Sequence, residues 1–444
     1  MARFTPHTDD EVRTMLDAIG VGTLADLFAV IPESLRAQSF DLPSGISEND
    51  ALGALADLAA RNRSDCVSFV GGGYYDHFIP SAVDSVASRS EFVTAYTPYQ
   101  AEASQGTLCA IFEYQTMIAR ITGMEYANAS LYDGGTALYE AVVMALRATN
   151  RRKIVVDAGV NPLHRRILTT HLVNIDAEIV VVDIEDIHPD RSKIESLIDG
   201  ETAALVVQNP NFFGALHDYE GLFERARSLG ALGILSFYPL SLGIIRTPGE
   251  MKADIAVGEG QSLGLPLSFG GPYLGLMGVS GKYLRKMPGR IVGETIDRNG
   301  RRAFVLTLQA REQHIRREKA TSNICSNQAL CALRAVLYLS LMGREGFRNT
   351  ALLNLERAEY CKSRIREISG VSVKEGPTFN EFTAVLPGRA DAIVGRMLEE
   401  GYAAGLPVSL FYEGREKEMI IAVTEKRRTG EIDGFVAALR KVLS

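Results

Sequence analysis

From residue 137 to residue 279 the chain repeats one pattern that few folds accommodate. Short runs rich in β-branched residues occur at Lys153–Asp157, Glu178–Asp183, Ala203–Val207, Leu232–Ser236, Asp254–Val257 and Tyr273–Val279. Stretches with helical spacing, such as Ala137–Ala148, His164–Leu172 and Tyr219–Leu229, lie before and between them. A strand that is apolar at every position is buried on both faces, and helices between such strands are the crossovers that bury it. The expected core is therefore α/β, with a mainly parallel sheet.

The flanks read differently. Residues 8–30 have a helical pattern: Thr8 as cap, Asp9, Asp10 and Glu11 at the positive end, and Val12, Met15, Leu16 and Ile19 on one face. Residues 31–60 form a mixed polar and helical arm. A helix capped by Ser104 places Leu108, Ile111, Phe112, Ile118 and Ala119 on one face and stops at Gly123. Residues 330–364 read as a long connecting helix. Beyond it, strands at VSVKEG, EFTAVL and Met419–Val423 and helices at Asp391–Glu400 and Glu431–Leu443 make a small α+β unit. The organisation expected is a helical arm (1–65), a large α/β domain (66–330), and a connecting helix with a small α+β domain (331–444).

Composition narrows the function. An apolar content of 46% with 23% charged residues is that of a globular chain. Acidic residues outnumber basic ones, 54 to 47, which argues against a nucleic-acid partner. Five scattered cysteines without a C-x-x-C pair read as reduced thiols, and the seven histidines lack metal-ligand spacing, so no metal is expected. Neither a signal sequence nor a membrane-spanning apolar stretch is evident, and the expected compartment is the cytoplasm.

Ligands on open α/β sheets bind beyond the carboxyl ends of the strands. Three loops qualify. GEGQSLGLPLSFGGP (258–272) holds five glycines and two prolines, a turn whose backbone approaches something closely. In YDGGTALYEA (132–141), Gly134, Gly135 and Thr136 open a helix; they either hold an anion at its positive end or simply make the turn. In QNPNFFG (208–214), the amides of Gln208, Asn209 and Asn211 suit either a planar ligand or turn capping. The glycine-rich SFVGGGYYDHFIP (68–80) lacks the lysine and hydroxyl of a phosphate loop and reads as a close-packed contact. GVGTLA (20–25) has no preceding strand, and GLMGVSGKY (275–283) has the wrong spacing for a P-loop.

The ordered motifs YTPYQAEASQG (96–106), IFEYQTMIARITG, ANASLYDGGTA (127–137), GEGQSLGLPLSFGGP, REKATSNICSNQAL (317–330) and TEKR (424–427) run the length of the chain. Together they resemble the glycine dehydrogenase (decarboxylating) family, the P-protein of the glycine cleavage system, and match its separate first, or alpha, subunit. The resemblance implies the pyridoxal-phosphate (PLP)-dependent transferase fold of aspartate-aminotransferase type (fold type I). It also implies decarboxylation of glycine with transfer of the aminomethyl group to the lipoyl arm of the H-protein.

That chemistry needs a lysine that forms a Schiff base with PLP, and the alignment of the glycine-rich turn puts Gln261 in its place. An amide nitrogen is not a nucleophile. The carboxylate that would hold the pyridine nitrogen is also missing from ILSFYPLSL (234–242), where Tyr238 stands near the expected aspartate. The resemblance therefore implies a vestigial cofactor pocket built of Gly134, Gly135, Thr136, Tyr238 and Gln261, with no cofactor bound by this chain and no catalytic residue on it. PLP then belongs to a partner beta subunit (subunit 2) in an alpha2beta2 heteromer. In this fold, active sites lie at dimer interfaces. The loops expected to reach the partner's site are those carrying Tyr96, Thr97, Tyr99, Gln100, Glu102 and Ser104, and Thr321, Ser322 and Asn323. Arg316, Arg317 and Lys319 read as a solvated basic face or a docking patch for the H-protein. The alternatives are an independent PLP enzyme using Lys252 or Lys282, or a scaffold that only stabilises its partner.

Overall fold

A computed structural model describes residues 6–37, 39 and 41–444; Met1–Thr5, Gln38 and Phe40, all in the expected arm, lie outside the described residues. The chain divides into two compact units, Met1–Asp65 and Cys66–Ser444.

In the first unit, helix α1 (Asp9–Ile19) begins with a capping box in which Thr8 and Glu11 satisfy each other's backbone N–H groups. It does not continue to residue 30: Gly20 turns left-handed (φ 83°) and ends it. A short 3-10 turn, Leu24–Phe28, follows, and then α2 (Glu48–Ala59), capped by Ser47. Of the apolar face expected on α1, Leu16 is buried while Met15 and Ile19 are exposed.

In the second unit, α3 (Gln105–Thr122) ends at a left-handed Gly123, as its sequence predicts. Ser104 holds the N-cap position, but its side chain makes no capping bond, because its backbone (φ −127°, ψ 25°) is not in the extended conformation of a normal cap. The central sheet has seven strands: β1 (Tyr126–Ala127), β2 (Lys153–Asp157), β3 (Glu178–Val182), β4 (Thr202–Asn209), β5 (Leu232–Phe237), β6 (Ile255–Glu259) and β7 (Gly275–Val279). Their order is β1-β7-β6-β5-β4-β2-β3. The five from β3 to β6 are parallel, and β7 and β1 are antiparallel additions at one edge. Every position of β5 and β6 is buried, which is why their sequences do not alternate.

Helix α4 (Gly134–Thr149) is buried along most of its length, and α5 (Pro162–Leu172) lies against it; α6 (Glu220–Ser228) covers part of the sheet through Leu222, Phe223 and Ala226. A hairpin of β8 (Ile291–Ile296) and β9 (Arg302–Thr307) leads towards α7 (Ala329–Arg366), which breaks at Gly343 (φ 58°, ψ −174°). The C-terminal sheet, β10 (Ser372–Val373), β11 (Glu381–Val385), β12 (Leu406–Pro407) and β13 (Glu418–Ala422), is antiparallel in the order β10-β11-β13-β12. It is backed by α8 (Ala390–Glu399) and α9 (Thr429–Leu443), whose Ile432, Phe435, Val436, Leu439 and Val442 are all buried. Among the described residues no helix is long and apolar enough to cross a membrane.

Candidate functional site

The turn after β6 meets the start of α4 at the carboxyl end of the parallel sheet. The N–H of Gly134 donates to Glu259 Oε2 at 2.9 Å, and the N–H groups of Gln261 and Leu274 donate to its Oε1 at 3.0 and 3.2 Å. A carboxyl group of the chain itself thus occupies the positive end of the helix, where an external anion would otherwise sit. In the same turn, the N–H of Thr136 is taken by Asp133 at 2.8 Å. Burial pushes the Glu259 carboxyl up to about 8, against the downward pull of its three N–H donors.

Gln261 is 1% exposed, and its amide is fully engaged. Its Oε1 accepts from the Tyr75 N–H (3.0 Å), and its Nε2 donates to the carbonyls of Tyr75 (3.1 Å) and Leu265 (2.8 Å). The glycine-rich loop 68–80 is thereby clamped onto the turn. From its other side, Glu381 on β11 accepts from the Gly72 N–H (2.7 Å) and the Tyr75 hydroxyl (2.8 Å), and burial pushes that carboxyl up to about 7. A Cβ at Gly71 would lie 2.1 Å from Glu381 Oε1, so only glycine allows this approach. The loop is the close-packed contact that its composition predicts, bridging the large sheet and the C-terminal sheet.

Tyr238, just past β5, is buried, and its hydroxyl meets His77 Nε2; His77 Nδ1 in turn meets Glu425 Oε2 at 2.8 Å. Glu425 also accepts from the Phe78 N–H (2.7 Å) and Asn354 Nδ2 (2.9 Å). Although burial opposes ionisation, the His77 ring and these donors hold its carboxyl below the usual range. The Tyr75 ring lies 4.6 Å from that of Tyr238. What remains open is a cavity of about 30 Å³ lined by Tyr75, Asn161, His164, Gln208, Tyr238 and Glu259, among others. It has room for about one or two waters, against roughly 300–1,000 Å³ for a small-molecule site. His164, whose two ring nitrogens have no partner, is buried there, and burial lowers its pKa to about 4. These residues do not fit PLP: the helix end is taken, the turn has no lysine amine, and the space is filled.

The residues expected to form the pocket, Gly134, Gly135, Thr136, Tyr238 and Gln261, are thus gathered at one end of the sheet. Between the two readings of QNPNFFG, the structure selects the turn for Asn209 and Asn211, whereas Gln208 reaches across to Asn161. Asn209 Oδ1 accepts from the His217 N–H, Asn211 Oδ1 from those of Phe213 and Ala215, and Gln208 Oε1 from that of Asn161. Lys252 is paired with Glu220 and Glu224 on the surface, and Lys282 lies over the Tyr283 ring; neither lines the cavity.

The two loops expected to face a partner converge elsewhere, around Arg290. The Tyr96 and Ser326 hydroxyls are 2.5 Å apart. The Arg290 guanidinium lies 5.6 Å from the Tyr99 ring centroid and donates to the Cys325 carbonyl and Asn327 Oδ1, while His314 meets Tyr99 edge-on. Tyr96 and Tyr99 are 83% and 53% exposed, an unusual presentation for aromatic rings, and the Thr97 hydroxyl is buried without a partner. Gln100 and Glu102 are exposed beside them, and Ser104 is half-buried. In the second loop, Ser322 donates to the buried Glu140 (2.8 Å), Thr321 to the Arg311 carbonyl (3.3 Å), and Asn323 is exposed. Exposed Arg317 and Lys319 lie on the segment leading into it.

Sequence reasoning missed Glu259, Glu381, His77, Glu425 and Arg290. For Glu259 a signal existed: a carboxylate closing a buried apolar strand, two residues before Gln261, needs a buried partner.

Residues 2–439 match the family model described as "Glycine cleavage system P-protein". The chain belongs to the glycine cleavage system P-protein family. A relative from Citrifermentans bemidjiense, named "Probable glycine dehydrogenase (decarboxylating) subunit 1", is 54% identical over 441 residues, covering 99% of this chain and 99% of its own length. A crystal structure of glycine decarboxylase (P-protein) of the glycine cleavage system in inhibitor-bound form superposes with a TM-score of 0.93, at 43% identity over 100% of both chains. A Burkholderia pseudomallei sphingosine-1-phosphate lyase shares the fold at a TM-score of 0.68 and 15% identity, over 92% of this chain and 93% of its own. The P-protein chain has the PLP-dependent type I fold.

Proposed function

We propose that this chain is the alpha subunit of a heteromeric, cytoplasmic glycine decarboxylase and holds no PLP of its own. In this reading a PLP-bearing beta subunit carries the chemistry, the pair assembles as alpha2beta2, and the aminomethyl group of glycine passes to the lipoyl arm of the H-protein as CO2 leaves. The observation that carries the reading is the filled pocket. A cavity of about 30 Å³, with Glu259 on the Gly134 N–H and the Gln261 amide spent on Tyr75, leaves no place for a cofactor.

This chain's contribution is the exposed surface around Arg290. Tyr96, Thr97, Tyr99, Gln100, Glu102 and Ser104, with Thr321, Ser322 and Asn323, offer rings, hydroxyls and amides to a neighbouring site. The Arg290 guanidinium ties the two loops into one rigid platform, so that a partner meets preset groups.

Borohydride reduction with PLP, followed by peptide mapping, is expected to give no adduct on the isolated chain and a single one on the second subunit. In the assembled heteromer, Tyr96→Ala and Asn323→Ala are each expected to lower kcat at least tenfold with assembly intact. Unchanged turnover in both would leave only a scaffold.

A further inference from the structure

Away from both regions, two open grooves meet where α3 crosses the break in α7. One, of about 980 Å³, has an apolar floor of Met117, Ile121, Leu339 and Phe347. The other, of about 480 Å³, shares Leu242, Gly243, Thr247 and Arg348 with it and extends it past Ile244, Ile245 and Leu352. Three arginines line the first: Arg120 from α3, and Arg344 and Arg348 from α7. All three are exposed, and among the described residues none has an ion pair or a side-chain hydrogen bond.

This arrangement is unfavourable as it stands. Arg344 and Arg348 are four apart on one helix, so like charges face each other. Gly343 breaks α7, so Arg344 stands in the first turn of a renewed helix, whose positive end favours acidic residues. Other surface arginines nearby are paired, as Arg246 is with Asp218 and Glu220. The carboxylates that reach the grooves do not neutralise the cluster: Glu345 has no cation within ion-pair distance, and Glu250 is occupied by the Thr247 amide and hydroxyl. A chain with a net charge of −7 thus keeps a locally positive, apolar-floored channel.

We infer that this channel docks an acidic segment of a partner protein, with apolar side chains on the floor and flanking carboxylates on the guanidinium forks. The shape favours a segment over a small molecule. The two grooves share Leu242, Gly243, Thr247 and Arg348 and run on into each other as an open channel, whereas a small-molecule site encloses most of its ligand.

The test uses the full chain and a labelled peptide of alternating Glu and Leu residues, read by fluorescence anisotropy at two salt concentrations. The peptide is expected to bind, more weakly at high salt, and at least tenfold more weakly to R344E/R348E. A Lys/Leu peptide is expected to bind that variant better than it binds the unaltered chain. R344K/R348K, which keeps the charge but loses the planar forks, is expected to fall between. Absence of binding, or equal affinity for the double variant, overturns the inference. Saturable binding of octanoate with none of the peptide would assign the groove to a small amphiphile instead. Self-association of the chain that is lost in R344E/R348E, without peptide binding, would assign it to a second copy.

Discussion

Replacing Gln261 by methionine tests whether its amide has become a structural clamp. Methionine keeps most of the volume and removes every polar atom, so no large cavity complicates the result. Three bonds are lost: from the Tyr75 N–H, and to the carbonyls of Tyr75 and Leu265. A buried N–H left without a partner costs about 1–3 kcal/mol, and the two carbonyls add a smaller amount, for about 2–4 kcal/mol in all. Native-state hydrogen exchange at the Tyr75 amide reads this locally. At about 1.4 kcal/mol per tenfold, protection is expected to fall by roughly 30-fold to several hundredfold. Amides in the middle of β4 serve as the control. A change at Tyr75 of less than about threefold would show that other contacts hold the loop, and the argument from the clamp fails. Gln261→Lys supplies the opposite perturbation. It restores an amine, yet Glu259 still occupies the Gly134 N–H, so borohydride trapping with PLP is expected to leave residue 261 unlabelled. Stoichiometric labelling there would refute the claim that the pocket is filled.

Further expectations concern the buried acids. Burial raises the carboxyls of Glu259 to about 8 and of Glu140 and Glu381 to about 7, each from 4.5. Their contribution to stability is therefore complete below about 4.5 and is lost as pH rises through about 7 to 8, so urea midpoints should fall between pH 6 and pH 9. Glu259→Gln, which mimics the protonated acid, should flatten that profile; an unchanged profile would remove Glu259 from the account. Tyr238→Phe takes away the hydroxyl that meets His77 Nε2 in a buried setting and should lower stability by about 1–3 kcal/mol, read as a lower urea midpoint. Ser322→Ala should loosen the 321–323 loop, seen as faster exchange at the Ile324 amide, whose acceptor is the Ser322 hydroxyl.

The sheet was legible in the sequence because burial on both faces forces continuous apolar runs, and each expected strand overlaps an observed one. Helix ends were legible only where backbone geometry required a particular residue. Gly123 turns left-handed as expected, but Gly20 interrupts the pattern expected over 8–30. The pocket was half legible. Gln261 and Tyr238 stand out because the resemblance puts them where the chemistry would need a lysine and a carboxylate. Glu259 does not, because its meaning depends on Gly134, 125 residues away, and that of Tyr75 on Glu381, 306 away. Contacts at such separations leave no local periodicity. Arg290 was invisible for the same reason: nothing beside it announces that Tyr99, Cys325 and Asn327 converge there.

The occupied helix end bears on what it would take for this chain to hold PLP itself. With the Glu259 carboxyl in place, the Gly134 N–H at the start of α4 already has its acceptor. The same arrangement works as an evolutionary ratchet. A lysine placed at position 261 leaves the Tyr75 amide without its acceptor. Removal of the Glu259 carboxylate leaves the amides of Gly134, Gln261 and Leu274 without theirs. Each of these changes taken alone is destabilising, so equipping this turn to hold PLP takes several simultaneous changes. If the chemistry is divided between two chains as proposed, the energetics of this fold work to keep it divided.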